Sequence, residues 1–288
     1  MTTIKAFIKR HPVPTYFALT FAISWGGVLI LLGPGGIMPN EEQFVSPLFV
    51  LLAWFAGPSV AGILLTGLVY GRTGLRELLS RLLRWRVDVR WYAIALLPAP
   101  LLVTAVLLAL SLLSPEFLPG IVTTDDKVTL LLFGIAWGLI GGGFLEELGW
   151  TGFAVPGLRL RYGAFTTGLI VGVMWGVLHF ILIFWGGYYV PGEHSLALFL
   201  AGVLLFYVGA LPAYRVLMVW VYDRTASLLV AMLMHASLSA STLILPPPAT
   251  GVPFLTWNLV LAAALWVFVG AVAVVNGRQL SRQPLREA

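Results

Sequence analysis

Cysteine is absent from the 288 residues, which removes disulfides, thiolate metal ligands and a cysteine nucleophile together. Charge is scarce. Asp, Glu, Lys and Arg make up 10% of the chain against 59% hydrophobic residues, whereas soluble globular domains carry about 25% charge. That shortage excludes an ordinary soluble enzyme and leaves a membrane protein, with His, Asp, Glu, Ser and Thr as the groups available for chemistry. A pI near 9.7 would suit a nucleic-acid partner, but the basic residues must first be tested against membrane topology.

Long apolar runs are what the chain has in abundance. They cover Val13 to Gly33, Ser46 to Tyr70, Trp91 to Ser114, Val128 to Val155, Ala164 to Gly186, Leu196 to Val221, Ala226 to Leu245 and Pro253 to Val275. A transmembrane helix needs about 20 such residues, and backbone in lipid must satisfy its hydrogen bonds within the segment. The reading is therefore all-α, a polytopic bundle of about eight transmembrane helices. The first run is too long for a signal-peptide core and has no A-x-A-like cleavage site after it, so it is read as a retained helix. Residues 1–12 become a cytoplasmic N-terminal segment, 13–275 a single transmembrane domain with its motifs in 128–245, and 276–288 a cytoplasmic tail.

If Lys5, Lys9 and Arg10 face the cytoplasm, the crossings put every Lys and Arg except Lys127 on that side. These are the Arg72 to Arg90 stretch, Arg159, Arg161, Arg215, Arg224, Arg278, Arg282 and Arg286. This is the bias of the positive-inside rule; it accounts for the basic residues and removes the case for nucleic acid. The opposite loops carry Glu41, Glu42, Glu116, Asp125, Asp126 and Glu193, with Tyr188 and Tyr189 at the interface. The protein is placed in a bacterial-type plasma membrane with both termini cytoplasmic. Between the second and third runs, Leu75, Leu78, Leu79, Leu82 and Leu83 fall at helical spacing among arginines, flanked by Trp85 and Trp91. That pattern predicts a basic amphipathic helix lying on anionic headgroups, with substrate docking as the alternative use of the same surface.

Four ionisable residues lie where lipid should forbid them. Glu146 and Glu147 sit within the fourth run, His179 in the fifth and His235 in the seventh, while His11 and His194 lie near the water boundary. A charge at the centre of a membrane helix costs about 2.5 to 3.5 kcal/mol even on lenient scales. Each histidine alone reads as a core residue bonded to a backbone carbonyl, but four such groups on three helices read as a site facing a cavity. Adjacent helical positions diverge by about 100°. Glu146 and Glu147 therefore point apart, one for chemistry and one for structure, while Glu147 shares a face with Thr151.

Ala231, His235 and Ser239 share another face. Gly168, Gly172 and Gly176 form a small-residue stripe for a close neighbour, and Gly141, Gly142 and Gly143 permit tight packing or a bend. Counting rise along each helix puts Glu146 and His235 at similar depth and His179 somewhat deeper. A hydrolase, a proton relay and an ion transporter would all use these atoms.

The segments RELLSRLLRWRVDVRWY, EELGWTGFAVPGLRLRYG, MWGVLHF and VLMVWVYDRTASLLVAMLMHASLSAS together resemble the CAAX protease and bacteriocin-processing family of intramembrane endopeptidases. That family includes type II CAAX prenyl endopeptidases and lysostaphin-resistance-like proteins. Its first motif, two glutamates with Arg four residues after the second, is matched by Glu146, Glu147 and Thr151. Its second, an aromatic residue with His four later, is matched by Trp175 and His179, and its third, His with Asn four later, by His235 and Ser239. In the family the Arg steadies the second glutamate, so Thr151 leaves Glu147 without that cation. The family's Asn amide helps to stabilise the oxyanion, for which Ser239 offers one shorter donor.

The resemblance implies hydrolysis of a peptide bond near the cytoplasmic half of the membrane, in a cavity that admits water and the end of a membrane-anchored substrate. Glu146 takes a proton from water while His179 and His235 orient that water or polarise the carbonyl. Glu147 and Ser239 complete the catalytic set, with Thr151 and Trp175 in support. Two His and a Glu can hold zinc with an open fourth position, so Glu146, His179 and His235 are also the candidate metal ligands, although the HExxH spacing is absent. The expected partners are a membrane-associated peptide or protein and the lipid bilayer. A prenylated substrate does not follow, because prenylation is a eukaryotic signal. The departures at Thr151 and Ser239 keep open a family member that no longer cuts and serves as a scaffold or immunity-type protein. Proton-coupled transport is the third reading.

Overall fold

A computed structural model describes residues 3–33, 46–185, 195–247, 250–276 and 280, and every regular element among them is helical. The acidic Glu41, Glu42 and Glu193, the interfacial Tyr188 and Tyr189, His194, and the tail arginines Arg278, Arg282 and Arg286 lie outside the described residues.

Among the described residues, seven helices are long and apolar enough to cross a membrane: the first span Pro12–Leu32, the second Leu48–Leu82, the third Val89–Ser111, the fourth Lys127–Arg159, the fifth Ala164–Trp185, the sixth Leu196–Thr225 and the eighth Gly251–Val275. The seventh expected span is the shorter Leu228–Ile244, of 17 residues, or about 25 Å at 1.5 Å per residue. Its brevity has a physical reason: it runs inside the bundle, where neighbours satisfy its ends. Ser227 Oγ accepts from Val230 N and donates to Arg84 O at its start. Gly120 N donates to Leu245 O beyond its far end, at 2.6 Å. Ser237 Oγ donates to Leu96 O of the third span at 2.7 Å. Outward faces of the other spans carry exposed Leu101, Leu108, Leu139, Ile140 and Val267, as a bundle solvated by lipid requires.

The amphipathic helix expected after the second span is continuous with it, set off by a break at Gly71 (φ 67°, ψ −155°). Those angles suit glycine alone. Beyond the break Leu78 packs on Leu148, Leu228 and Met232, whereas Leu75, Leu79, Leu83 and Trp85 are exposed, the arrangement of an interfacial helix. Arg81 ties it down: Nη1 donates to Tyr222 Oη at 2.7 Å and Nη2 to Gly152 O at 3.1 Å.

The glycine stripe of the fifth span meets the sixth. A Cβ added at Gly168, Gly172 or Gly176 would lie 2.5 Å from Val216 Cα, 2.4 Å from Pro212 Cα or 1.8 Å from Tyr207 O, so only glycine permits this approach.

Two basic residues counted as surface charges are interior. Arg159, 1% exposed, pairs with Asp223 at 2.9 Å, near the end of its span. Arg215 is fully buried and precedes the end of its helix at Thr225 by ten residues, about 15 Å. Its guanidinium therefore pairs within the bundle instead of reaching the headgroups. The other described basic residues except Lys127 gather at one end of the bundle, which we call the basic end. Lys127, Glu116, Asp125 and Asp126 mark the opposite end.

Candidate active site

The fourth span changes its winding where the acidic residues occur. Gly138–Glu146 and Trp150–Ala154 are π-helical, with a short α-helical stretch, Glu147–Gly149, between them. Wider π turns are uncommon and often mark functional sites. Here they are packed too closely for side chains: a Cβ at Gly142 would lie 2.4 Å from Ser239 Oγ and 2.9 Å from His235 Nε2, and one at Gly143 would lie 2.9 Å from Met232 O. The run of glycines thus lets the fourth span seat against the face of the seventh that carries His235 and Ser239.

Glu147 is held from three sides. Arg215 Nη1 lies 2.8 Å from each carboxylate oxygen, the Thr151 hydroxyl donates to Oε2, and His235 Nδ1 lies 2.6 Å from Oε1. Arg215 also stands over the Trp175 ring, 4.4 Å from its centroid. The expectation that Thr151 leaves Glu147 without a cation is therefore corrected: the sixth span supplies one. Sequence reasoning missed Arg215 because it satisfied the charge count. The signal that could have found it was its position, too far from the helix end for its side chain to reach the headgroups.

Glu146 accepts one hydrogen bond from Trp150 Nε1, at 3.0 Å, and lines a cavity of about 660 Å³ together with Trp175, His179, His235 and Ser239. Glu147 stands behind His235, out of the cavity lining. The two adjacent carboxylates thus have different surroundings, as their divergent directions on the helix predict. His179 terminates the helix Ala164–Leu178, and its N–H bonds to Gly176 O. That break accompanies the arrival of His179, expected to lie deeper, at the same cavity, between Trp54 and Tyr207 with ring centroids 4.7 Å from each.

Hydrogen bonding fixes both imidazoles. His179 Nδ1 lies 2.8 Å from Trp175 O and His235 Nδ1 faces Glu147 Oε1. A carbonyl and a carboxylate only accept, so each Nδ1 carries the proton and each neutral ring keeps its lone pair at Nε2. The remaining walls are largely aromatic and aliphatic, among them Phe55, Trp137 and Phe206, with Tyr207 and Asn258 as further polar groups.

A zinc ion at Glu146, His179 and His235 would need the three donors converging on one point. Among the described residues no three His, Asp or Glu side chains form such a group. The residues as placed do not fit a bound metal.

Residues 127–241 match the family described as type II CAAX prenyl endopeptidase Rce1-like. That stretch begins at the fourth span and includes Glu146, Glu147, His179, Arg215, His235 and Ser239. The chain is also 22% identical over 230 residues to CAAX prenyl protease 2 of Methanococcus maripaludis, a match covering 76% of this chain and 80% of that protein.

Proposed function

We propose that this chain, which belongs to the CAAX protease and bacteriocin-processing family, is an intramembrane endopeptidase in which Glu146 activates water. The observation that carries the reading is that Glu146, His179, His235 and Ser239, from three spans, line one cavity while Glu147, behind them, is fully paired. Water bound beside Glu146 gives that carboxylate a proton as its oxygen bonds to the scissile carbonyl carbon. The remaining water hydrogen is donated to the Nε2 lone pair of one imidazole, His235 or His179, which turns the oxygen of the water toward the carbonyl carbon. Ser239 Oγ–H donates to the developing oxyanion. Glu146 then passes its proton to the leaving nitrogen as the C–N bond breaks, and the other hydrogen of the water stays on the new carboxyl group.

Glu147 acts through His235. A carboxylate fixed by Arg215 and Thr151 holds Nδ1–H, and with it the ring and its tautomer. The scaffold reading drew on the departures at Thr151 and Ser239; Arg215 takes over the contact of the missing motif Arg, and Ser239 lines the cavity beside Glu146. Transport would need a polar route to both ends of the bundle, yet on the basic side Glu146 is backed by buried Leu148, Trp150 and Leu228.

The test is Glu146→Gln. Wild type and variant are reconstituted into liposomes with a library of membrane-anchored peptides, and products are read by mass spectrometry. Loss of the base should slow cleavage by about 10² to 10⁴-fold with the fold intact. Equal rates would refute the role of Glu146.

A further inference from the structure

The helix that carries His179 breaks at that residue, and the break releases a carbonyl. An unbroken α-helix would pair Leu178 O with Leu182 N, but Leu182 N and Ile183 N both donate to His179 O, at 3.0 and 3.2 Å. His179 N itself reaches three residues back, to Gly176 O at 3.1 Å, the tighter bonding that marks a local change of winding. Leu178 is fully buried, and a carbonyl stranded within a membrane bundle must find donors elsewhere.

It finds two. Trp25 Nε1 of the first span donates to Leu178 O at 3.0 Å, and Trp54 Nε1 of the second donates to the same oxygen at 3.2 Å. An indole N–H only donates and a carbonyl oxygen carries two lone pairs, so the pair saturates this acceptor. The first two spans are themselves joined at this level: the Ser24 hydroxyl donates to Trp54 O, and a Cβ at Gly57 would lie 2.5 Å from Thr20 O. The Trp54 ring also meets the His179 imidazole at an interplanar angle of 69°, whereas Trp25 stays out of the cavity lining.

We propose that Trp25 and Trp54 are positioning residues for His179. From two spans outside the stretch that matches the family, they hold the carbonyl that the break releases and so fix the turn that presents the imidazole to the cavity. Two donors share one acceptor, so either indole alone keeps most of the placement and loss of both releases it. A packing role needs the rings; positioning needs the N–H groups. The consequence for cleavage rests on the peptidase reading, but the placement of His179 does not.

The test uses Trp25→Phe, Trp54→Phe and the double variant, which keep an aromatic ring at each position and remove the donor. The chain has four histidines, so isotopically labelled histidine gives a simple imidazole nitrogen NMR spectrum in detergent, with His179 assigned by the signal lost in His179→Gln. Wild type should show that ring in one tautomer, its proton on Nδ1 where Trp175 O accepts it. The second tautomer should appear as a minor form in each single variant and as a major form in the double, as the ring leaves Trp175 O. In liposomes kcat should fall less than about tenfold in each single variant and about 10²-fold in the double with KM little changed, the cost of a misplacement on the order of 1 Å.

An unmoved His179 signal in the double variant would overturn the proposal even beside a loss of cleavage, since that loss would then arise elsewhere. If the double variant does not fold, the single variants decide, and a signal unchanged in both overturns it. A moved signal in a chain whose wild type is inert would uphold the positioning and reject the peptidase reading.

Discussion

Removing Arg215 should expose how much of the site depends on one buried charge. Arg215 and Glu147 are both fully buried, with Nη1 2.8 Å from each carboxylate oxygen. In Arg215→Met the apolar volume is largely kept, but Glu147 loses its cation inside the bundle. Breaking a buried pair from one side costs about 3 to 5 kcal/mol, because the surviving charge is left uncompensated. At roughly 2 to 4 °C per kcal/mol for a chain of this order of size, that is a fall in melting temperature of roughly 6 to 20 °C in detergent.

The double variant Glu147→Gln/Arg215→Met leaves no unpaired charge, so it should lose less than the sum of the two single losses by at least about 2 kcal/mol. The assay is a double-mutant cycle of denaturant or thermal unfolding. Cleavage provides a second readout, since His235 loses the fixed carboxylate that orients it. Adding Thr151→Arg to Arg215→Met, which returns the cation to the family's motif position, should restore activity more than stability. Additivity of the two single changes within about 0.5 kcal/mol would refute the claim that this ion pair steadies the site.

Three further outcomes are expected. Gly142→Ala places a Cβ 2.4 Å from Ser239 Oγ and 2.9 Å from His235 Nε2; a displacement on the order of 1 Å there should lower kcat about 10²-fold, and unchanged kinetics would contradict the close seating of the two helices. Ser239→Ala removes the proposed oxyanion donor and should lower kcat by about 10²-fold or more with KM little changed; a loss confined to KM would assign Ser239 to substrate binding instead. Since Glu146, His179 and His235 are not gathered as a metal site, dialysis against a chelator should leave cleavage unchanged. Loss of activity that zinc restores would show that the donors move together around an ion.

Much of the fold could be read directly from the chain. Scarce charge and recurrent apolar runs require helices solvated by lipid, and leucines spaced among arginines mark an interfacial helix, although it was packing that chose Leu78 rather than Leu75 or Leu79 to face inward. The shared face of Glu147 and Thr151, and the glycine stripe of the fifth span, are likewise local consequences of helical period. These properties depend on neighbours within a few residues in sequence, or on the solvent around each segment, so composition and periodicity carry them.

The pairing of Glu147 with Arg215 belongs to a different class. It joins residues 68 positions apart, and no local pattern states which face of the sixth span meets the fourth. In sequence Arg215 is one more member of a topological charge bias; only packing reveals it as the cation that this chain lacks at Thr151, where the family motif has Arg. The same holds for the tautomers of His179 and His235, set by Trp175 O and Glu147. A helix's own period fixes which residues share its face, but what that face meets is decided by the rotation and depth at which whole helices settle against one another.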